Sequence, residues 1–219
     1  MKISRFSAIL ILATSITAQT RDMRIQRVDP TVQKAFQKSV KVALLVGINT
    51  YPDGSGVTPL RFAVQDVAAI AEVLEDQGYL VRKLTDSSAT RAMIRSNIKD
   101  LTAALDPADG TFLFYFGGHG FSQSEANFLV PFGATVDDLI AEGLPVSDVE
   151  KLLKSSGAKR TMMFIDACRN DPGAGARSGG QRTFTKLQAA EGLKVMYATR
   201  EGRVSFEDPT LQHGIFTTS

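Results

Sequence analysis

Residues 41–48 read KVALLVGI, apolar without alternation from Val42 onward and closed by Asn49, Pro52, Asp53 and Gly54. A strand with one solvated face alternates apolar and polar residues, because successive side chains point to opposite sides of the pleat. An unbroken apolar run bounded by turn residues predicts a strand covered on both faces, as in a parallel sheet lying between helices.

The following chain continues that pattern. Thr58 and Pro59 have the form of a helix N-cap and first helical position, and Leu60, Ala63, Val64, Val67, Ala68, Ala71 and Leu74 recur at helical spacing until Gly78. The strand-then-helix unit returns with YLVRKL (79–84) and a helix from Thr90 to Leu105, then with TFLFYF (111–116), which runs into GGHG (117–120). NFLVPF (127–132) predicts a short hairpin, Ser147 caps a helix over 147–155, and TMMFIDA (161–167) and LKVMYAT (193–199) add two strands. This alternation predicts an α/β fold with a mostly parallel central sheet and helices on both faces. Such sheets carry their sites beyond the carboxyl ends of the strands.

With 219 residues and 43% hydrophobic content, the chain can bury one sizeable core. A net charge of +2 is too small to imply a nucleic-acid partner. Residues 1–20, MKISRFSAILILATSITAQT, set Lys2 and Arg5 before an apolar run and small residues around Ala18. This is the layout of a signal peptide and predicts a secreted or periplasmic protein, cleaved near Ala18. No other segment approaches the roughly 18 apolar residues that span a bilayer. Residues 21–40 form a polar N-terminal segment, and 169–192, rich in Gly, Ser, Arg and Lys, reads as an exposed linker between a large part (41–168) and a small part (193–219) of one domain.

Two strand ends carry reactive side chains. His119 closes FYFGGHG and Cys168, the single cysteine, closes FIDAC. A lone cysteine in an exported protein cannot form an intrachain disulfide and stands either as an intermolecular link or as a free thiol. A thiol needs a nearby base to act as a nucleophile at neutral pH, since its ordinary pKa is about 8.5. His119 is the partner the topology supplies. Gly117, Gly118 and Gly120 are read as a tight turn that lets backbone amides approach a substrate carbonyl.

These motifs together resemble the caspase-like cysteine peptidases (peptidase C14), the group that also holds metacaspases and bacterial orthocaspase-like proteins. ALLVGINTY resembles the family's first strand, LRFAVQDVAAIAEVL its first helix, YFGGHG its histidine box, IDAC its cysteine box and YATREG the strand after the linker. His119 precedes Cys168 by 49 positions, against about 50 for the caspase pattern. The resemblance runs from about Val42 to the C-terminus and implies the caspase–hemoglobinase three-layer sandwich. It also implies a dyad in which Cys168 attacks the scissile carbonyl, His119 acts as general base and acid, and the amides of Gly120 and Cys168 hold the oxyanion. His213 is then structural.

Where animal caspases carry glutamine two residues before the nucleophile, this chain has Asp166, the metacaspase-like residue. Asp66 similarly matches an acidic position on the metacaspase first helix. The resemblance thus implies a substrate pocket for Arg or Lys formed by Asp166 with Asp66, and protein or peptide substrates carrying basic residues. From periodicity alone, Asp66 falls on the polar, solvated face of its helix. Basic residues in the linker, Arg177, Arg182 and Lys186, predict self-processing. Two histidines and one cysteine argue against a zinc site, no cofactor is expected, and a calcium requirement is left open. The chain stops at Ser219, soon after HGIFT, where family members continue through a helix and usually a strand, so the resemblance implies a truncated C-terminal end. The alternative reading is a catalytically inactive caspase-like interaction module. A nucleotide-binding α/β protein is a remoter one, because VGINTYPDGSG lacks the ordered glycines of a phosphate loop.

Overall fold

The computed structural model describes residues 29–124, 126–168 and 193–197. The predicted signal peptide at 1–20, the predicted linker with Arg177, Arg182 and Lys186, and the segment with His213 lie outside the described residues. Among those described, the elements are α1 (Pro30–Lys38), β1 (Lys41–Gly47), α2 (Ala63–Asp76), β2 (Leu80–Thr85), α3 (Arg91–Ala103), β3 (Thr111–Gln123), β4 (Ala126–Leu129), α4 (Leu139–Glu142), β5 (Leu144–Pro145), α5 (Val146–Ser155), β6 (Arg160–Cys168) and β7 (Leu193–Tyr197). A short 3₁₀ turn, Asp86–Ser88, follows β2.

Five strands form a parallel sheet in the order β2-β1-β3-β6-β7. Every residue of β1 is buried, as the unbroken apolar run requires. Alternate residues serve two separate layers. Val42, Leu44 and Val46 join Phe112, Phe114, Phe116 and Ile165 on the face packed by Ile94 and Ile98 of α3 and Val149 and Leu153 of α5. Ala43, Leu45, Leu113 and Tyr115 join Met162 and Phe164 on the opposite face, against Val67 and Ala71 of α2. Phe112, Phe114 and Phe116 are fully buried, each worth about 1.5–3 kcal/mol over exposure. The predicted sandwich is therefore present.

The strand order fixes where a crevice can open. From β1 the chain crosses through α2 to β2 on one side, then returns through α3 to β3 on the other. The direction of progression reverses between β1 and β3, and ligands bind at such a switch point beyond the carboxyl ends. Gly47, the last residue of β1, lets α2 abut this edge. A Cβ there would lie 2.5 Å from the Ala63 carbonyl oxygen, so any side chain would push the first turn of α2 away.

Several local expectations are corrected. Helix α2 begins at Ala63 rather than at Thr58, and its cap residue, Phe62, provides no side-chain acceptor. Asn49 does so from 15 positions away, its Oδ1 accepting the Val64 amide at 3.2 Å. Ser147 lies inside α5, which starts at Val146 directly after the two-residue strand β5. The polar segment 21–40 contains α1, signalled by Asp29 as N-cap and Pro30 at the first helical position.

Residues 117–120 are not a tight turn but part of the continuous 13-residue strand β3. The strand pairs with β6 as far as His119, and from Gly120 it pairs antiparallel with β4. Here glycine supplies room rather than unusual dihedrals. A Cβ on Gly117 would sit 3.0 Å from the Tyr115 hydroxyl, and one on Gly118 would sit 2.9 Å from the Phe116 ring.

Candidate active site

His119 is the last β3 residue in the parallel register, and its partner on β6 is Cys168. Neighbouring strands lie about 4.8 Å apart, so the two backbones meet side by side at the carboxyl edge. His119 is 6% exposed, and its Nε2 lies 2.7 Å from the carbonyl oxygen of Thr58. A carbonyl oxygen can only accept, so Nε2 carries the hydrogen and Nδ1 is the basic nitrogen of the neutral ring.

The ring and backbone of His119 are braced by Tyr51. The two rings are 5.7 Å apart at 41°. The His119 amide donates to the Tyr51 hydroxyl at 3.5 Å, and that hydroxyl donates to the Val130 carbonyl at 3.2 Å. The Val130 amide in turn donates to the His119 carbonyl at 2.9 Å. Burial, with Asp86 nearby, pushes the Tyr51 phenol well above its ordinary range despite the opposing bond from His119. Tyr51 therefore stays neutral and keeps its proton for Val130.

The Thr58 carbonyl is itself held by the loop after β1. Asp86 accepts the Asn49 and Thr50 amides through one carboxylate oxygen at 2.8 and 2.9 Å. Its φ of 42° lies in the left-handed region, which aspartate tolerates better than most residues. Asn49 then fixes the incoming strap: its carbonyl accepts the Leu60 amide at 2.8 Å and its Nδ2 donates to the Arg61 carbonyl at 3.1 Å. With Val64 also bonded to its Oδ1, one side chain both caps α2 and anchors residues 60–64 just beyond Thr58. Asn49→Ala is expected to cost about 1–2 kcal/mol in urea unfolding, as for loss of a helix cap, and to reduce any peptide cleavage in fully folded protein because the histidine's acceptor is no longer fixed.

Asp66 is 3% exposed, so the solvated reading of this residue is corrected. It lies in the first turn of α2, where the positive end of the helix dipole favours a carboxylate. Asp166 is half-buried on β6 and is the register partner of Gly117. Both carboxylates act on Tyr115: burial pushes its phenol far above the ordinary range, and the charges of Asp166 and Asp66 push it further. Asp66 and Asp166 thus both act on one phenol, that of Tyr115, four residues before His119 on β3. Gly120 lies immediately beyond His119, buried and opposite Leu129.

Asn49, Tyr51, Thr58 and Asp86 were not singled out as functional in the sequence. Their link to His119 spans 61 positions for Thr58 and 68 for Tyr51, and no short motif encodes it. Among the described residues no group of His, Cys, Asp and Glu has the arrangement of a metal site, and no helix is long and apolar enough to cross a membrane.

The family profile of the peptidase C14 caspase domain matches residues 40–219. The chain belongs to the caspase-domain family. Human mucosa-associated lymphoid tissue lymphoma translocation protein 1 is 28% identical over 185 residues, which cover 80% of this chain but 20% of that protein. The present caspase domain therefore matches about a fifth of the relative's length. Protein GSU0716 from Geobacter sulfurreducens superposes with a TM-score of 0.61 at 19% identity, covering 82% of this chain and 79% of the other. At that identity the likeness speaks for the fold.

Proposed function

We propose that this caspase-domain protein is a cysteine endopeptidase that cleaves proteins or peptides after arginine or lysine. The observation that carries the reading is the β3–β6 register, which sets His119 beside Cys168, with Nε2 of the histidine committed to the Thr58 carbonyl. Membership of a peptidase family supports the same reaction class.

In the proposed reaction, Nδ1 of His119 takes the proton of the Cys168 thiol and the sulfur attacks the scissile carbonyl carbon. The amides of Gly120 and Cys168 hold the negative oxygen that develops. As the C–N bond breaks, His119 returns the proton to the leaving amine and a thioester remains. The same nitrogen then takes a proton from water, whose oxygen attacks the thioester. The acid product leaves and the thiol is restored. Throughout, the Thr58 carbonyl favours the imidazolium by accepting from Nε2–H.

Asp166 and Asp66 are the proposed recognition groups for the residue before the scissile bond. A guanidinium pairs with carboxylates through charge-assisted bonds, and an ammonium does so as a point charge. Export through residues 1–20 and self-processing after Arg177, Arg182 or Lys186 belong to this proposal, which invokes no cofactor. Purified protein is to be incubated with fluorogenic peptides differing only at the residue before the cut. The expected result is cleavage after Arg and Lys and none after Asp. Cleavage of none of them would favour an interaction module, and cleavage after Asp would leave a peptidase with a different pocket.

A further inference from the structure

The hydroxyl of Tyr115 is a buried polar group that its surroundings do not satisfy. The residue is 1% exposed, yet its oxygen has no hydrogen-bond partner among the described residues. An orphaned buried hydroxyl destabilises a fold, and phenylalanine would fill the same space without that cost.

Its position is well defined. The point where a Gly117 Cβ would stand is 3.0 Å from the Tyr115 hydroxyl and 3.4 Å from the Ala63 Cβ. The oxygen therefore lies over Gly117, against the first turn of α2. Gly117 is the register partner of Asp166, and the same turn of α2 carries Asp66. The phenol feels the charge of both acidic residues. Glycine at 117 leaves the hydroxyl its place, since any larger residue would displace it.

We propose that the Tyr115 hydroxyl is the floor of the basic-residue pocket and makes it prefer arginine to lysine by accepting a hydrogen bond from the substrate guanidinium. The proposal rests on the basic-specificity reading given above. A guanidinium has five N–H donors on a planar fork, more than one carboxylate accepts in a bidentate pair, and a phenol oxygen is a further acceptor. Lysine brings three donors on a shorter side chain. Asp166 is half-buried and Tyr115 fully buried, so the phenol oxygen lies deeper than the carboxylate and favours the longer cation. The phenol remains protonated at every working pH and so can accept without adding a third negative charge.

The test is Tyr115→Phe in the full chain, read with two fluorogenic peptides that differ only in Arg or Lys before the cut. The ratio of kcat/KM for Arg over Lys is expected to fall about tenfold, the effect of losing one hydrogen bond to a charged group. The melting temperature is expected to hold or rise, because an unsatisfied hydroxyl has been removed. An unchanged ratio in Tyr115→Phe, with wild-type protein still cutting after Arg, overturns the role of Tyr115 and leaves the basic pocket standing. A lowered melting temperature together with an unchanged ratio overturns it as well, by showing that the hydroxyl serves the fold. Wild-type protein that cuts after neither Arg nor Lys defeats the basic-specificity reading, and this proposal with it.

Discussion

Cys168→Ala is expected to leave no measurable peptide cleavage, and His119→Ala to lower kcat/KM by about 10²–10⁴-fold, the range for loss of a general acid–base group. The two losses differ in kind. Without sulfur no thioester forms, whereas without the imidazole a small thiolate fraction survives. A free cysteine is mostly protonated at neutral pH, since its pKa is about 8.5. The proposed pair works by moving that proton onto Nδ1 of a ring whose Nε2 already donates to Thr58 at 2.7 Å. Alkylation by iodoacetamide reads the thiolate directly and needs no substrate pocket. Its rate at pH 6 to 7 should fall in His119→Ala and recover above the ordinary thiol pKa. Equal rates in wild type and His119→Ala across that pH range would exclude a proton-transferring pair. Because His119 is buried, thermal unfolding of the variant has to accompany the comparison, so that a loosened strand end is not mistaken for lost chemistry.

The sheet was legible in the sequence wherever a strand satisfies its needs locally. KVALLVG and TFLFYF are apolar on both faces because helices cover both, and a run of that kind has few other solutions. Helix α3 was equally plain, since Thr90 caps it through its own side chain on the Met93 amide at 3.2 Å. Helix α2 shows the limit of such reasoning. Its start resembles a local cap at Thr58–Pro59, but the group that satisfies it comes from Asn49, and Thr58 instead accepts from His119. Asp66 shows another limit. Helical periodicity sees a carboxylate among apolar residues and assigns it to water, whereas the helix terminus and the gap beside Tyr115 give it a buried place. His119 and Cys168 were named because each ends an apolar strand, and the register that makes them neighbours follows from β3 and β6 being adjacent and parallel. The tyrosine, the strap and the aspartate behind the histidine had no comparable signal, because each acts through a contact that only the folded chain creates.

Asp166→Ala is expected to reduce kcat/KM for an arginyl peptide by about 10²–10³-fold, because the partly desolvated guanidinium loses one of its two proposed carboxylate partners. Thermal unfolding of the variant is to be measured alongside, so that lost recognition in the complex is told apart from damage to the free protein. Iodoacetamide should still alkylate Cys168 in this variant at about the wild-type rate, since the small reagent makes no use of the pocket. Asp166→Asn sharpens the comparison by keeping the shape and one acceptor oxygen while removing the charge, and its loss should lie between those of wild type and the alanine variant. An Asp166→Ala protein that cleaves arginyl peptides normally would place the recognition carboxylate elsewhere, and Asp66, at 3% exposure beside the same phenol, would be the residue to substitute next. The reverse charge gives the complementary result. An aspartate before the scissile bond would bring a third carboxylate towards Asp66 and Asp166, so wild-type protein should discriminate against it by a larger factor than it loses through any single pocket substitution.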